Sequence, residues 1–143
     1  MSRQHPTKPV AAVGVVVTHQ NRVLLVRRGQ APLKDIWTLP GGAIELGESA
    51  KEAVHREIQE ECNISVQIEK VLDVVDIIER DAAGQVQYHY AIIEFWATYQ
   101  SGELRAASDA AEARWVAASE LDQYELSKDA LRLIQSSLVT KFP

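Results

Sequence analysis

Two apolar runs open the chain. Pro9 to Thr18, P-V-A-A-V-G-V-V-V-T, is rich in β-branched residues, and Arg22 to Arg28, R-V-L-L-V-R-R, follows after His19-Gln20-Asn21. Runs of this kind predict buried strands joined by a turn. Gly29 to Asp35, with Ala31-Pro32 inside it, reads as a loop leading to Trp37, and a short strand over Ala43 to Glu45 follows Leu39-Pro40-Gly41-Gly42. From Ser49 the period changes. Val54, Ile58 and Cys62 fall on one face at about 100° per residue, so a helix runs from Ser49 to Cys62 with that face on a core. Ser49 as N-cap and Glu52 three residues later form a capping box.

The second half reads as strands again. Ser65 to Arg80 is β-rich, Asp81-Ala82-Ala83-Gly84 has the composition of a hairpin turn, and Gln85 to Tyr99 returns as the partner strand. A polar loop over Gln100 to Glu112 precedes a short strand, Glu112 to Val116. Ser127 to Leu138 predicts a closing amphipathic helix with Ala130, Leu131, Ile134 and Leu138 inward. Strands, helix, strands, helix in that order give a mixed sheet with helices on two sides, an α/β class. No repeat, linker or low-complexity tract interrupts 1–143, which reads as one domain with a polar, flexible arm over residues 1–8.

Composition changes this picture little. The chain has 143 residues, 46% hydrophobic and 24% charged, ordinary values for a globular domain with a real core. A net charge of −5 argues against gripping a long nucleic acid, which wants a basic face. A small anionic substrate stays compatible, because a bound metal inverts the local field. Cys62 is the only cysteine and sits on the apolar helix face, where it reads as a small buried hydrophobe. No apolar run approaches a membrane span and the N-terminus lacks the apolar core of a signal peptide, so a cytoplasmic location is expected.

The chemistry concentrates beside the helix's core face. Glu57, Glu60 and Glu61 lie within an arc of about 100°, with Arg56 next to them, and Glu57 and Glu61 are i,i+4 neighbours. Two carboxylates about 6 Å apart repel by roughly 3 kcal/mol at an effective dielectric near 20. Stability alone would separate them or pair them with lysine. A hard divalent cation resolves the conflict, since Mg²⁺ takes oxygen ligands from a few carboxylates plus substrate phosphates. Gly41 and Gly42 let backbone approach the same place. Taken alone, R-E-I-Q-E-E also reads as a solvated helix face; its wider spacing decides otherwise.

That spacing resembles the Nudix box, G-x5-E-x7-R-E-U-x-E-E-x-G-U with U a bulky aliphatic residue. Gly42, Glu48, Arg56, Glu57, Ile58, Glu60, Glu61 and Ile64 match in register. At about one chance in fifteen for each fixed identity, coincidence arises roughly once in ten million placements. Asn63 departs from the family's glycine, at a position that should be left-handed and where asparagine is the tolerated substitute at a small stability cost. The resemblance covers most of the chain and implies the Nudix fold, an α/β/α sandwich around a mixed sheet.

It also implies roles. Glu57, Glu60 and Glu61 would be ligands for Mg²⁺, with Mn²⁺ as an alternative, and the Gly41 carbonyl would add another. Glu57 has a second use as general base. Arg56 would orient the glutamates through a charge-assisted fork, and Glu48 would support the loop or meet a second metal. Glu112 and Asp109 lie where some members place a further acid, the alternative for both being loop solvation. Arg27, Arg28 and Lys34 would meet substrate phosphates or serve as surface charge, and Trp37 would stack on a base or pack beside the glycine loop. Glu94 interrupts an apolar strand and faces either solvent or metal; His55 reads as an exposed helix residue and His89 as an ordinary strand residue.

The activity so implied is metal-assisted attack of water on a pyrophosphate that joins a nucleoside to another group. G-Q-A-P-L-K-D-I-W-T-L-P-G-G is similar to bacterial members classed as ADP-ribose pyrophosphatases, which points to ADP-ribose or a related nucleotide sugar as substrate. Arg80 stands where one ADP-ribose subgroup has proline, and Asp81 where dinucleoside polyphosphate hydrolases have tyrosine; the S-Q-P-W-P-F-P signature of NADH-cleaving members is absent. A (d)NTP pyrophosphatase that sanitises nucleotides, releasing the monophosphate and pyrophosphate, is the alternative. A non-catalytic ligand-sensing module is the other, against which the intact glutamates count. The partners expected are a small nucleotide and, as in similar hydrolases, a second copy in a homodimer, with neither long nucleic acid nor membrane.

Overall fold

The computed structural model describes residues 4–30 and 33–141, so Met1 to Arg3 of the expected flexible arm and Ala31-Pro32 of the expected loop lie outside the described residues. Strands β1 (Val10–His19) and β2 (Arg22–Arg28) form a hairpin. Gln20 and Asn21 at its tip both have positive φ, 49° and 65°, as a two-residue turn between twisted strands demands. The chain continues through β3 (Trp37–Thr38), β4 (Gly41–Ala43), helix α1 (Ala50–Cys62), and the long hairpin β5 (Ser65–Arg80) and β6 (Val86–Ser101). Strand β7 (Ala110–Ala117), a 3₁₀ turn over Ala118–Gln123 and helix α2 (Lys128–Lys141) complete it. Asp81 Oδ1 accepts from the N–H groups of Ala83 and Gln85 and so fixes the β5–β6 turn. His5 reaches the same turn, its N–H bonding Gln87 O at 2.7 Å and its ring meeting Asp81 at 3.1 Å.

The seven strands make one mixed sheet in the order β3-β2-β1-β6-β5, with β4 added to β1 and β7 to β2. β1 and β6 run parallel from Val10↔Tyr90 to Thr18↔Thr98, and the other pairings are antiparallel. Alternation along β1 and β2 sends Val13, Val15, Val17, Leu24 and Val26 to one face, under α1, and Val16, Val23 and Leu25 to the other, under α2. Both faces are covered, which is why these strands read as unbroken apolar runs.

β1 is shared along its length. Its end, Thr18 and His19, pairs with β2, whereas Ala12, Val13 and Gly14 pair with β4. Between them Leu39 and Pro40 cross from one edge to the other, with Val15 N–H donating to Pro40 O at 3.0 Å. This fork carries the glycine loop up to α1. It also explains two differences from the sequence reading. The short strand begins at Gly41 rather than Ala43 because both glycines enter the ladder with β1, and Trp37–Thr38 form a strand because β2 supplies an edge for them.

α1 begins as expected. Ser49 Oγ accepts from Glu52 N–H at 3.1 Å and Glu52 Oε1 accepts from Ser49 N–H at 2.9 Å. Ala53, Val54, Ile58 and Cys62 are all 0% exposed on its core face. α2 starts one residue later than expected, with Ser127 as its cap, Oγ accepting from Ala130 N–H. Its inner stripe differs: Leu133 is buried where Leu131 was expected, and the helix faces the sheet with Ala130, Leu133, Ile134 and Ser137. Ser137 is tolerated there because its hydroxyl donates to Leu133 O at 3.0 Å.

Asn63 ends α1 in the left-handed region, φ 62°, ψ 27°, with its N–H on Gln59 O. Its side chain does more than tolerate that conformation. Nδ2 donates to Glu103 O at 2.9 Å and Oδ1 accepts from Gln59 at 3.3 Å, tying the β6–β7 loop to the helix end. Asparagine therefore recovers in hydrogen bonds what glycine would save in strain, and the small cost read from sequence is offset. Asn63→Ala, which keeps the strain and loses the bonds, should lower stability by about 1–2 kcal/mol. Asn63→Gly should shift the melting temperature by less than half as much, as thermal unfolding followed by circular dichroism would measure.

Candidate active site

Burial of Val54, Ile58 and Cys62 fixes the rotation of α1, and the adjoining arc then meets the glycine loop. Glu61 is 7% exposed, and its Oε1 accepts from Gly41 N–H at 3.0 Å. Glu57 comes so close to Gly42 that a methyl group there would collide with its carboxylate. Any side chain at that position would have to push the Glu57 carboxylate aside.

Arg56 gathers the other acids. Its Nε and Nη2 donate to the two oxygens of Glu48 at 2.6 and 2.9 Å, a bidentate fork, and Nη2 also donates to Ala43 O at 3.0 Å. Nη1 donates to Glu57 at 2.9 Å and Glu60 at 3.3 Å, with Glu45 3.7 Å away. The fork from Arg56, helped by Glu45 N–H, holds the Glu48 carboxyl down at about 2. Bonding to Glu48 raises Arg56 in turn against its partial burial. Burial pushes Glu57 above the usual carboxylate range despite Arg56. Burial first, then the charge of Glu57, pushes Glu61 up to about 8, against the pull of the Gly41 N–H and Arg28. Cys62 beside it is driven to about 12 by burial and stays an inert packing residue.

The loop between β6 and β7 adds an acid. Arg105 and Ala107 N–H groups cap the Cys62 and Glu61 carbonyls at 3.0 Å, strapping the loop to the end of α1. Gly29 N–H then holds Asp109 O at 2.9 Å. The Asp109 charge reaches both Glu57 and Glu61 and raises them. Glu112 does not join this group. It lies opposite Arg27 in the β2–β7 ladder, and its carboxylate is taken by Arg27 at 3.3 Å and by Arg114. Burial acts to raise Glu112, but the two arginines outweigh it and hold it below the usual range. Of the two acids read from the polar loop, Asp109 is the one brought to the site.

The residues expected to meet substrate are distributed unevenly. Arg27 is spent on Asp35 at 2.6 Å and on Glu112, a structural ion-pair chain rather than a phosphate contact. Arg28 lines a cleft of about 430 Å³ on the α2 side of the sheet, as do Trp37, Gly41 and Gly42. Trp37 takes the packing role. It packs with the α2-side core, lies 5.2 Å from Tyr124 edge to face and carries the Arg114 guanidinium at 4.8 Å, while its remaining surface borders the cleft. Lys34 and His55 are exposed, and His89 pairs with Ile78 in the hairpin.

Glu94 faces neither solvent nor the acids of α1. It is buried on the opposite side of the sheet, at the bottom of that cleft. The sequence carried a signal for it in Gly14: a glycine inside an apolar strand marks a close approach, and Gly14 is paired with Glu94 across the parallel ladder.

The donor set suits a hard cation. Three carboxylates on one helix edge, a fourth from Asp109 nearby and a glycine backbone against them supply only oxygen ligands. Among the described residues no three acidic or histidine side chains already converge at ligand spacing. Glu57 and Glu60 lean on Arg56, and Glu61 on Gly41. The raised carboxyls of Glu57 and Glu61 are what a cation would relieve.

The comparisons agree with this geometry. The NUDIX domain model matches residues 8–136. An ADP-ribose pyrophosphatase of Methanocaldococcus jannaschii is 35% identical over 129 residues, which is 87% of this chain and 74% of that protein. The crystal structure of a MutT NUDIX hydrolase from Burkholderia pseudomallei superposes with a TM-score of 0.75 at 30% identity, covering 90% of this chain and 97% of the other. The NUDIX domain of Shewanella oneidensis NrtR, solved with ADP ribose, shares the fold with a TM-score of 0.73 at 24% identity over 94% of this chain and 88% of that one. Because the match extends over both helix layers and the whole sheet, well beyond the acidic motif, the chain belongs to the NUDIX domain family and is a hydrolase of pyrophosphate bonds.

Proposed function

We propose that this pyrophosphohydrolase acts on ADP-ribose or a related nucleotide sugar, with Mg²⁺ bound, and releases a nucleoside monophosphate and a sugar phosphate. The observation that carries the reading is the Glu57–Glu61 pair held against Gly41 and Gly42, at one end of a cleft large enough for part of a nucleotide. Similarity to the ADP-ribose pyrophosphatase of M. jannaschii favours that substrate class. A (d)NTP pyrophosphatase would use the same site, and similarity to a CTP pyrophosphohydrolase of Escherichia coli, 25% identical over 137 residues, supports that second reading. The ligand-sensing alternative has no observation in its favour, since the acidic cluster is kept at a cost a sensor need not bear.

Glu57, Glu60 and Glu61 would hold the metal, with the Gly41 carbonyl and Asp109 adjoining. A divalent ion there lowers the pKa of water and neutralises charge on phosphate oxygens. Glu48, whose two oxygens Arg56 occupies, acts as a positioning residue. Arg56 limits the repulsion among the glutamates and fixes their rotamers, so that little reorganisation is left for the reaction itself. Glu57, raised by burial, has two uses, as ligand or as acceptor of the proton of the attacking water. Arg28, in the cleft and near enough to stabilise the Glu61 anion, is placed to meet a phosphate.

Product analysis tests the substrate. With Mg²⁺, ADP-ribose should yield AMP and ribose 5-phosphate, and a chelator should abolish the reaction. Pyrophosphate from nucleoside triphosphates alone would move the assignment to the second reading. Glu61→Gln should lower kcat by at least about 100-fold with an unchanged far-ultraviolet spectrum; full activity would overturn the ligand assignment.

The raised Glu61 gives a second test, on the chelated protein. Its carboxyl sits at about 8 when folded against an ordinary 4.5, so between those values the folded state binds the extra proton. Stability must therefore fall as pH rises through that window and be lowest above it. Glu61→Gln keeps an acceptor for Gly41 N–H and removes the titration. Without metal the variant should melt about 3–8 °C above wild type at pH 8.5 and with it at pH 4.5. Mg²⁺ should then raise the wild-type melting temperature and leave the variant unmoved.

A further inference from the structure

The floor of the α2-side cleft holds a carboxylate that the acidic site does not use. Glu94 on β6 is 7% exposed, and its Oε2 is the buried side-chain oxygen that finds no hydrogen-bond partner among the described residues. The other buried polar side chains are satisfied: Thr18 accepts from Trp96, Glu61 from Gly41, and Ser137 donates to Leu133. A buried acceptor left unpaired costs stability that an apolar residue of similar size would not. The space for it is built in as well, because a methyl group on Gly14 would overlap both carboxylate oxygens. A strand that spends a core position and a glycine on an unpaired carboxylate keeps it for a ligand.

The cleft indicates the kind of ligand. One end reaches Gly41 and Gly42, against which the glutamates of α1 lie, and Glu94 lines the same cleft as Val75, Ile77, Ile92 and Leu133. Phosphate is excluded from the Glu94 end, because Asp129 and Asp73 face it, and Arg132, the cation there, is paired with both at 3.2 and 3.0 Å. Burial, then Asp129, raises the Glu94 carboxyl to about 7, the mark of a negative, poorly solvated surrounding. Largely apolar walls with a buried, unpartnered acceptor among them fit a flat heteroaromatic ring that carries a donor on its edge.

We propose that Glu94 is a specificity-determining residue whose carboxylate accepts a hydrogen bond from the exocyclic amine of the substrate's base. This rests on the reading of the protein as a hydrolase of nucleotides linked to a second group, and it adds the feature that selects the nucleotide. Ionised or neutral, the carboxyl keeps one acceptor oxygen for the amine. Gly14 is a positioning residue that makes the room.

Equilibrium binding separates this from the turnover question. AMP and purine riboside 5′-monophosphate, which lacks only the 6-amine, would be titrated calorimetrically into wild type, Glu94→Gln and Glu94→Leu without metal, and thermal melts would show that each variant is folded. Wild type should prefer AMP by about tenfold. Glu94→Gln, which keeps a carbonyl acceptor, should retain most of that preference, and Glu94→Leu should bind the two probes equally while melting no lower than wild type. Equal binding of the probes by wild type, or a full preference in Glu94→Leu, overturns the proposal. Failure to cleave ADP-ribose would refute the substrate reading alone, because the ratio of the two affinities is measured without catalysis.

Discussion

Arg56 sets the shape of the acidic site because one guanidinium must serve three glutamates at once. Its fork occupies both oxygens of Glu48, and the remaining nitrogen is shared by Glu57 and Glu60. Bidentate geometry makes that arrangement specific in a way a lysine ammonium would not be. Glu61 lies outside its reach and depends on a single backbone N–H, from Gly41. The contrast in proton affinity follows, with Glu48 in the loop before α1 held low and Glu61 near the end of the helix driven high. Charge compensated on one side and uncompensated on the other creates a demand for a cation at a defined place.

That place is reached because β1 is shared by two neighbours. β4 occupies the near part of the strand and β2 the far end, so the chain between them has to cross over, carrying Gly41 and Gly42 under α1. The same crossing opens the sheet toward α2 and leaves the cleft that runs from the glycines down to Glu94. One topological feature thus joins the acidic cluster on one face to the cleft on the other. Ligands in open α/β sheets commonly bind where neighbouring connections diverge, and the physical cause is the same: a gap in the ladder that side chains need not fill.

Both ends hold groups that a fold optimised for stability would discard. Glu57, half-buried, and Glu61, buried, repel each other, and Glu94 leaves an acceptor unpaired. The rest of the molecule offsets this with two closed apolar layers and a well-capped helix. Such concentration of unfavourable groups in a well-packed frame is the usual mark of a functional site.

What the sequence determined by itself was local. The capping box at Ser49 and Glu52, the buried stripe of Val54, Ile58 and Cys62, the turn at Gln20-Asn21 and the span of β5 all follow from periodicity and turn chemistry within a few residues. The neighbourhood of Arg56, Glu57, Glu60 and Glu61 was legible for the same reason, since one helix turn fixes it. Tertiary structure decided whatever depends on register between distant strands. The β2–β7 ladder set Glu112 opposite Arg27, and the loop strapped to the end of α1 brought Asp109 to the site. The β1–β6 ladder set Glu94 over Gly14, and the rotation of α2 chose Leu133 over Leu131. Periodicity tells a residue which side of its own element it occupies, but what it meets there is a property of the partner, and in a split mixed sheet the partner is settled only when the strands pair.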